Sequence, residues 1–577
     1  MSPRVLTSPR SARVSGRLGL LAILACLAML ASALGPRTTP VRASATQEST
    51  FQDDNLLIYD TPAGVVRTLD TLRALGADRI RVSVFWAVVA PQPTSRTRPA
   101  FDATNPAAYP PGAWDRYDLV LSLAHARGIA VNFDITSPAP YWATRIPPRA
   151  DLAKDYEPSS HEYDAFVRAV GTRYGGAYVP PGGSGRGDHP ADPASPLPRV
   201  DYWAIWNEPN QAGWLTPQWV PATGVHGPGH YAERAPAIYR SLVDAAVDGL
   251  RATGHGSDTI LIGETAPKGF DTPRGTRPIR PSPLTRSIKP LPFIHSLYCL
   301  DDRSRPLRGA SARQQGCPTS AAASRGFPAA HPGLFAISGF SHHPYELTFA
   351  PHQRPPDSNY VTIATLSRLT AALTRVRAVY HRSVGSGGST PLYLTEFGYQ
   401  TNPPSPIGVT LSEQAAYLDE SEFIAYENPQ VRTLSQFLLE DDHPRAEAQG
   451  RLSGYGATFQ SGLEFQSGRR KPSFSSYRLP VFLPHPSVSR GHALRVWGLV
   501  RAASRRSAAP PRVAIQLMAS SKGGAWRTIA MVSADHGHDY LDSRVGLPSS
   551  GRLRLAWADP THAGQIVYSR TVRVKVR

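Results

Sequence analysis

In Tyr202-Trp203-Ala204-Ile205-Trp206-Asn207-Glu208-Pro209-Asn210 an apolar run breaks off at a carboxylate set between two asparagines, with a proline directly behind it. Aromatic and branched side chains suit a buried strand. Pro209 has no N–H to offer and cannot continue a ladder. The strand therefore delivers Glu208 at its C-terminal end. A second stretch, Pro391-Leu392-Tyr393-Leu394-Thr395-Glu396-Phe397-Gly398-Tyr399, repeats the pattern with Glu396.

Outward from these two, short β-rich runs at 55–59, 79–86, 129–135, 200–206, 259–263, 335–340, 392–396 and 431–439 alternate with helical patterns. The helices are expected at 65–75, 114–127, 161–174, 231–253, 293–300, 362–380 and 412–426. Ser412 reads as an N-cap ahead of Glu413, and Gly128 and Gly254 stand just past helix ends. Eight repeats of strand and helix imply parallel pairing through right-handed crossovers. They also imply closure into an α/β fold, a (β/α)₈ barrel of the TIM type, over residues 51–478. An open doubly wound sheet is the rival, but no Gly-x-Gly-x-x-Gly follows the first strand. Glu208 then ends the fourth strand and Glu396 the seventh, on the C-terminal rim where barrel enzymes keep their active sites. Insertions rich in Pro, Gly, Ser and Arg at 180–198, 271–292, 301–332 and 350–356 are expected in part to wall a cleft at that rim. Residues 480–577 change to apolar–polar alternation between turns, a small all-β sandwich of the immunoglobulin or fibronectin kind. It reads as a packing or spacer module ahead of a glycan binder, because fold class alone carries no function.

Residues 1–45 read as a signal peptide and pro-region, with Arg4, Arg10, Arg13 and Arg17 ahead of an apolar run from Leu18 to Leu34. The run is at the lower limit for a membrane span, so export and cleavage are expected over a retained anchor. That places the mature protein outside the cell, in contact with the membrane only transiently during export. Cys26 leaves with the leader. The remaining Cys299 and Cys317 form an even pair, which in an exported chain favours a disulfide, with two buried thiols as the alternative. The formal net charge is +18. Six Arg and no acid lie in residues 1–45, which leaves +12 for the mature chain. The Arg read as spread along the chain, without a basic stripe interleaved with aromatics, so nucleic acid is not an expected partner.

Two carboxyl groups facing each other across a barrel mouth are what glycosidic cleavage requires. One must be protonated to give its proton to the leaving oxygen, and the other must be ionised to attack the anomeric carbon. Asn-Glu-Pro on the fourth strand with Thr-Glu-Phe-Gly on the seventh resembles glycoside hydrolase clan A, similar to families 5 and 39. The likeness spans about residues 51–478. It implies a retaining, double-displacement enzyme with Glu208 as acid/base and Glu396 as nucleophile, acting on oligo- or polysaccharide without cofactor or metal. Arg81, in Arg79-Ile80-Arg81-Val82, resembles the clan's second-strand arginine that supports the nucleophile, and Asn207 its contact to the sugar 2-hydroxyl. His343 and Tyr345, in His343-Pro344-Tyr345, resemble its His-x-Tyr signature, with His343 lining the subsite and Tyr345 donating to the nucleophile. The chain departs from the clan on strand eight, where Ser435-Gln436-Phe437-Leu438 stands in place of a tryptophan platform. Phe437 is a smaller substitute, and Trp86, Trp142 or Trp214 are further candidates for the stacking face. Glu264, at the end of strand five, is assigned no chemistry.

Two rivals use the same residues: a glycan-binding barrel without catalysis, and a transglycosylase that passes the sugar to an acceptor hydroxyl. The sequence leaves open which sugar is recognised and whether action is endo or exo. If the leader is removed as expected, N-terminal sequencing of exported protein will find the chain starting after Ala33 or after Ala45. A start at Met1 would mean a retained anchor.

Overall fold

The computed structural model of the protein describes residues 47–181, 195–222, 229–385, 388–445, 455, 458–501, 510–520, 524–535, 538–560 and 564–577. The expected leader, 1–45, and most of the insertion at 180–198 lie outside these residues. Among them, eight parallel strands close a barrel: β1 (Glu48–Gln52), β2 (Arg79–Phe85), β3 (Ala130–Thr136), β4 (Tyr202–Ile205), β5 (Thr259–Thr265), β6 (Gly339–His342), β7 (Leu392–Phe397) and β8 (Val431–Phe437). Every strand pairs with its neighbours in sequence, and β1 closes the ring against β8 with Gln52 opposite Phe437. Helices such as Pro62–Leu75, Asp115–Ala126, Ser160–Arg173 and Ala235–Ala252 form the outer layer, their apolar faces joined in one core with the strands.

The first strand is not where its apolar content suggested. Residues 55–58 fall in a short helix, Asp54–Ile58, with Tyr59 as its C-cap, because the Asp53 carboxylate accepts from Leu56 N–H and starts a turn there. The strand that closes the barrel is the more polar Glu48-Ser-Thr-Phe-Gln, which hydrophobicity alone hides. The sixth strand lies at Gly339–His342 rather than 335–340, since Pro332–Leu334 is still a 3₁₀ turn. Residues 231–233 pair as a strand with Trp219–Pro221, so the fourth long helix begins at Ala235. The helix Leu411–Tyr426 is capped by Thr410, not Ser412, in a reciprocal box with Glu413. The insertion at 301–332 follows a helix, so it leads to the N-terminal end of β6, away from the mouth. It contains the helices Gly309–Gln314 and Ala321–Ala330, and its Cys317 is joined by a disulfide to Cys299 just ahead of it, with Cα atoms 5.5 Å apart. Buried Arg240 donates to the carbonyls of Ser296, Leu297, Gln315 and Gly316 and fixes both limbs of that loop.

Beyond Arg478 two sheets stack around a core of their own. One holds β9 (Val481–Phe482), β11 (Ala493–Leu499) and β14 (Tyr540–Gly546). The other holds β10 (Ser487–Val488), β12 (Arg512–Ala519), β13 (Arg527–Ser533), β15 (Gly551–Ala558), β16 (Ile566–Tyr568) and β17 (Val572–Val576). The three-stranded sheet turns Trp497, Leu499 and Tyr540 against Phe423 and Tyr426 of the helix Leu411–Tyr426. Three arginines of the sandwich meet acids of that helix region: Arg501 pairs with Glu422, Arg570 with Asp419 at 2.6 Å, and Arg495 with Glu427 at 2.7 Å. Among the described residues no helix is long and apolar enough to cross a membrane.

Gly76 ends the helix Pro62–Leu75 at φ 84°, and a Cβ there would lie 1.9 Å from the Arg501 carbonyl oxygen. Gly76→Ala is therefore expected to lower stability by about 1–2 kcal/mol for the left-handed backbone, and further for the displaced Arg501 segment. Denaturant unfolding reads this, and an unchanged midpoint would mean the contact is loose.

Candidate active site

The mouth of the barrel holds a cavity of about 480 Å³ lined by Asn207, Glu208, Trp214, Tyr345, Glu396 and Phe437, among others. Its floor is organised by Arg81, which projects inward from β2 and is wholly buried. One guanidinium nitrogen, Nη1, donates to Glu396 Oε1 at 2.8 Å and to Gln52 Oε1. The other, Nη2, donates to Asn207 Oδ1 and Glu264 Oε2, each at 2.8 Å, and lies 3.0 Å from Asp134 Oδ2. Five strands or their ends thus converge on one cation.

Around it the remaining groups form a chain. His343, immediately after β6, has Nε2 2.8 Å from Glu264 Oε2 and Nδ1 3.0 Å from Glu208 Oε1, with Glu396 Oε2 at 3.5 Å. Tyr345 donates its hydroxyl to Glu396 Oε2 at 3.0 Å, and Thr395 donates to Glu264 Oε2 at 2.8 Å. Oxygen atoms of Glu208 and Glu396 approach within 4.8 Å of each other.

The backbone reaches these positions through unusual local geometry. Glu208 and Glu264 both adopt left-handed φ, 36° and 42°, as does Trp206 at 63°. Such residues persist only where neighbours over-determine them. Trp206 N–H donates to Ile135 O, its indole to Trp214 O, and Asn207 N–H to Thr136 Oγ1, which fixes the turn carrying Glu208. Beside Glu264, Gly263 at φ 113° lets β5 shift register against β6, since a Cβ there would strike Ser341 O at 2.5 Å.

Burial works against charge on every member, and the local pairs decide the outcome. Desolvation opposes ionisation of Glu264, but Arg81 and His343 override it and hold the carboxyl down at about 2. Desolvation likewise opposes His343, yet Glu396, Glu208 and Glu264 push it up to about 10, so it is an imidazolium at neutral pH. Asp134 is raised well above the carboxylate range by burial, which Arg81 only partly counters. Burial also raises Glu396, with His343 and Arg81 pulling the other way. Glu208, His343 and Glu396 bring ligand-type atoms close enough to hold a metal ion. Both ring nitrogens of His343 face carboxylate oxygens, Nδ1 that of Glu208 and Nε2 that of Glu264.

Of the residues named from the sequence, Arg81, Asn207, Glu208, His343, Tyr345 and Glu396 meet here, and Phe437 lines the cavity in edge contact with Tyr345. His343 does not line the subsite; it is fully buried beneath the two carboxylates. Trp86 is not a platform. It is 1% exposed and stacks on Phe166 at 5.5 Å, because the chain turns into the short helix Trp86–Val89 and drives the ring into the core. Trp142 donates its indole N–H to Pro91 O and lines a separate cavity, whereas Trp214 borders the mouth. Sequence reasoning missed Glu264, although Ile262-Gly263-Glu264 ends an apolar strand in a carboxylate by the same rule that marked Glu208 and Glu396. It also missed Gln52, on the displaced first strand, and Phe459, from the loop after β8.

No protein-family model matches the sequence, and no curated protein matches it. Among solved structures the chain is similar to a family 39 glycoside hydrolase from the gut symbiont Bacteroides cellulosilyticus WH2. The identity is 13% over 89% of this chain and 81% of that one, with a TM-score of 0.41. It is also similar to a β-glucosidase from Thermotoga maritima in complex with castanospermine, at 13% identity over 74% and 96% of the two chains and a TM-score of 0.42. A third is GH5_18 from Streptomyces cattleya in complex with GlcNAc, at 16% identity over 78% and 85%, with a TM-score of 0.40.

His343 is raised from an ordinary 6.5 to about 10, so its ion pairs add stability that is fully present below pH 6.5 and lost as pH rises through about 10. The stability deficit of His343→Gln relative to the native chain should be largest below pH 6.5 and shrink towards pH 10. Urea midpoints across that window test this, and a deficit independent of pH would mean a neutral imidazole.

Proposed function

We propose that the barrel is a retaining glycoside hydrolase of the clan A kind, with Glu396 as nucleophile and Glu208 as acid/base. The observation that carries this reading is that an oxygen of each carboxylate comes within 4.8 Å of the other at the floor of an open cavity. Retention is associated with a separation of about 5–5.5 Å, and inversion needs about 6.5–9.5 Å to admit a water between the groups.

The hydrogen bonds favour one assignment of roles. Both oxygens of Glu396 accept from fixed donors, Arg81 on one side and Tyr345 on the other. The arginine cannot give up its proton, and burial pushes the tyrosine well above its ordinary value, so it too remains a donor. A protonated Glu396 would have to surrender one of these bonds, which favours the carboxylate needed for attack. Glu208 is the more open of the two, with His343 on one oxygen and the cavity before it.

In the first step Glu208 gives its proton to the glycosidic oxygen while a Glu396 oxygen bonds to the anomeric carbon and the carbon–oxygen bond to the leaving group breaks. In the second, Glu208 takes a proton from water, the water oxygen bonds to the anomeric carbon, and Glu396 departs as a carboxylate. Asn207 has its carbonyl engaged by Arg81, which leaves its amide N–H groups to donate to a sugar hydroxyl. Trp214, Phe437 and Phe459 provide apolar walls for the C–H face of a ring. Export and an extracellular site of action form part of the same reading.

Incubation with a panel of 2-deoxy-2-fluoro glycosyl fluorides, followed by peptide mapping, is expected to place the label on Glu396. Glu208→Gln should lower kcat/KM for natural glycans by about 10²–10⁴-fold while sparing kcat/KM for aryl glycosides with acidic leaving groups, whose glycosyl-enzyme then accumulates for want of the base. Label on another residue would overturn the assignment. Absence of label and turnover across a broad panel, with glycan binding retained, would leave a binding protein. Glycosyl transfer to an added alcohol in preference to water would mark a transglycosylase.

A further inference from the structure

The positive charge of the chain is not spread evenly along it, as its arginines suggested. Residues 46–479 carry 41 Lys and Arg against 40 Asp and Glu, so the barrel is almost neutral. Residues 480–577 carry 15 Lys and Arg against four Asp and no Glu, a formal net charge of +11. The sandwich alone holds nearly all the excess of the mature chain.

Its two faces treat that charge differently. The three-stranded sheet spends Arg495, Arg501 and nearby Arg570 on the barrel acids Glu427, Glu422 and Asp419. That contact covers the face of the three-stranded sheet carrying Trp497 and Tyr540, and the six-stranded sheet meets the barrel region at the ends of β15 and β16, through Asp559 with Arg478 and Arg570 with Asp419. On the six-stranded sheet Val513, Ile515, Leu517, Leu553, Leu555 and Val574 point into the sandwich core. The alternation of a strand then sends Arg512, Arg552, Arg554, Arg573 and Lys575 to the opposite, outer face. None of the six strands contains an acid.

Arg552 and Arg573 are directly opposite each other in the β15–β17 ladder, and both are exposed. Like charges in that relation destabilise a sheet. Folding alone gives no reason for the pair, but an anion lying across the two strands would turn repulsion into two attractions. Next along β15, the Arg554 guanidinium is held between the rings of Trp526 and Tyr568, at 4.1 and 3.8 Å, and donates to Gln516 Oε1 at 2.9 Å. Tyr568 is 39% exposed, which leaves apolar ring surface beside the cationic row.

We propose that this outer face of the six-stranded sheet is a docking surface for an acidic polysaccharide, a glycan carrying carboxylates along its chain. Guanidinium forks match carboxylates in geometry as well as charge. Cations on alternate residues of a strand repeat about every 6.6–6.8 Å, and neighbouring strands lie about 4.8 Å apart, so a flat linear polyanion meets several at once. The rings of Trp526 and Tyr568 suit the C–H face of a sugar, which separates this surface from a bare patch of charge. The sandwich then holds the enzyme to its surroundings, and its function is independent of the chemistry in the barrel.

The test measures binding of the full chain to polygalacturonate, neutral dextran, duplex DNA and phosphatidylglycerol vesicles. Polygalacturonate should bind, dextran should not, and the affinity should fall steeply between about 0.05 and 0.5 M salt. The triple variant Arg552→Gln, Arg573→Gln, Lys575→Gln should lose at least about tenfold in affinity while melting at the native temperature or above it. Trp526→Ala should weaken polygalacturonate binding and leave DNA binding unaltered. If the triple variant fails to fold, Lys575→Glu alone, at an exposed position, carries the same expectation of loss. Undiminished binding by these charge variants would overturn the proposal. So would DNA or vesicles bound as tightly as polygalacturonate, since the surface would then be a general cation exchanger.

Discussion

A guanidinium buried at the centre of a barrel is tolerable only if its charge and its donors are answered on every side. Removing such an ion from water costs several kcal/mol even after the surroundings relax. Arg81 meets that constraint with Gln52 from β1, Asp134 from β3, Asn207 after β4, Glu264 from β5 and Glu396 from β7. The positions of these groups, and through them His343 and Tyr345, follow from the need to satisfy one cation. The ring of strands and the cluster at its mouth are two aspects of a single arrangement.

The cluster also keeps its charges in step. Arg81 and His343 supply two cations, Glu264 stands against them as a carboxylate, and burial pushes Asp134 and Glu396 upward against the pull of those cations. Glu264 is wholly buried, beneath the residues that line the cavity. Its effect passes through His343 and Arg81, which it holds beside the two carboxylates that do reach the mouth. The left-handed backbone at Glu208 and Glu264 is sustained by the same network, because each side chain is anchored at its far end. Charge is divided again at the scale of the whole chain, where a nearly neutral barrel carries a strongly basic sandwich fixed to it through three of its arginines.

Much of this was legible from residue patterns. Strands that end in a carboxylate at a proline or glycine announce a rim position, and that rule marks Glu208 and Glu396 from local sequence alone. The same rule marks Glu264, but a lone strand-end acid cannot be told from a surface one without its partner. The rule fails for β1, whose polar residues answer buried arginines, Glu48 to Arg79, Ser49 to Arg501 and Gln52 to Arg81. Trp86 misleads in the opposite sense, because an aromatic at a strand end reads as a platform until the turn that follows it is known.

The sequence by itself determined the alternation of strands and helices, the two strand-end carboxylates and the change of character near residue 480. Each is written in residues close together along the chain, where periodicity and turn chemistry act. Only the tertiary structure decided that His343 is buried between carboxylates, that Gln52 and Glu264 belong to the cluster, and that five cations share one sheet face. These depend on which strands are neighbours and in what register, and a buried charge or a cross-strand pair takes its energy from groups far away in sequence. No local pattern records those distances.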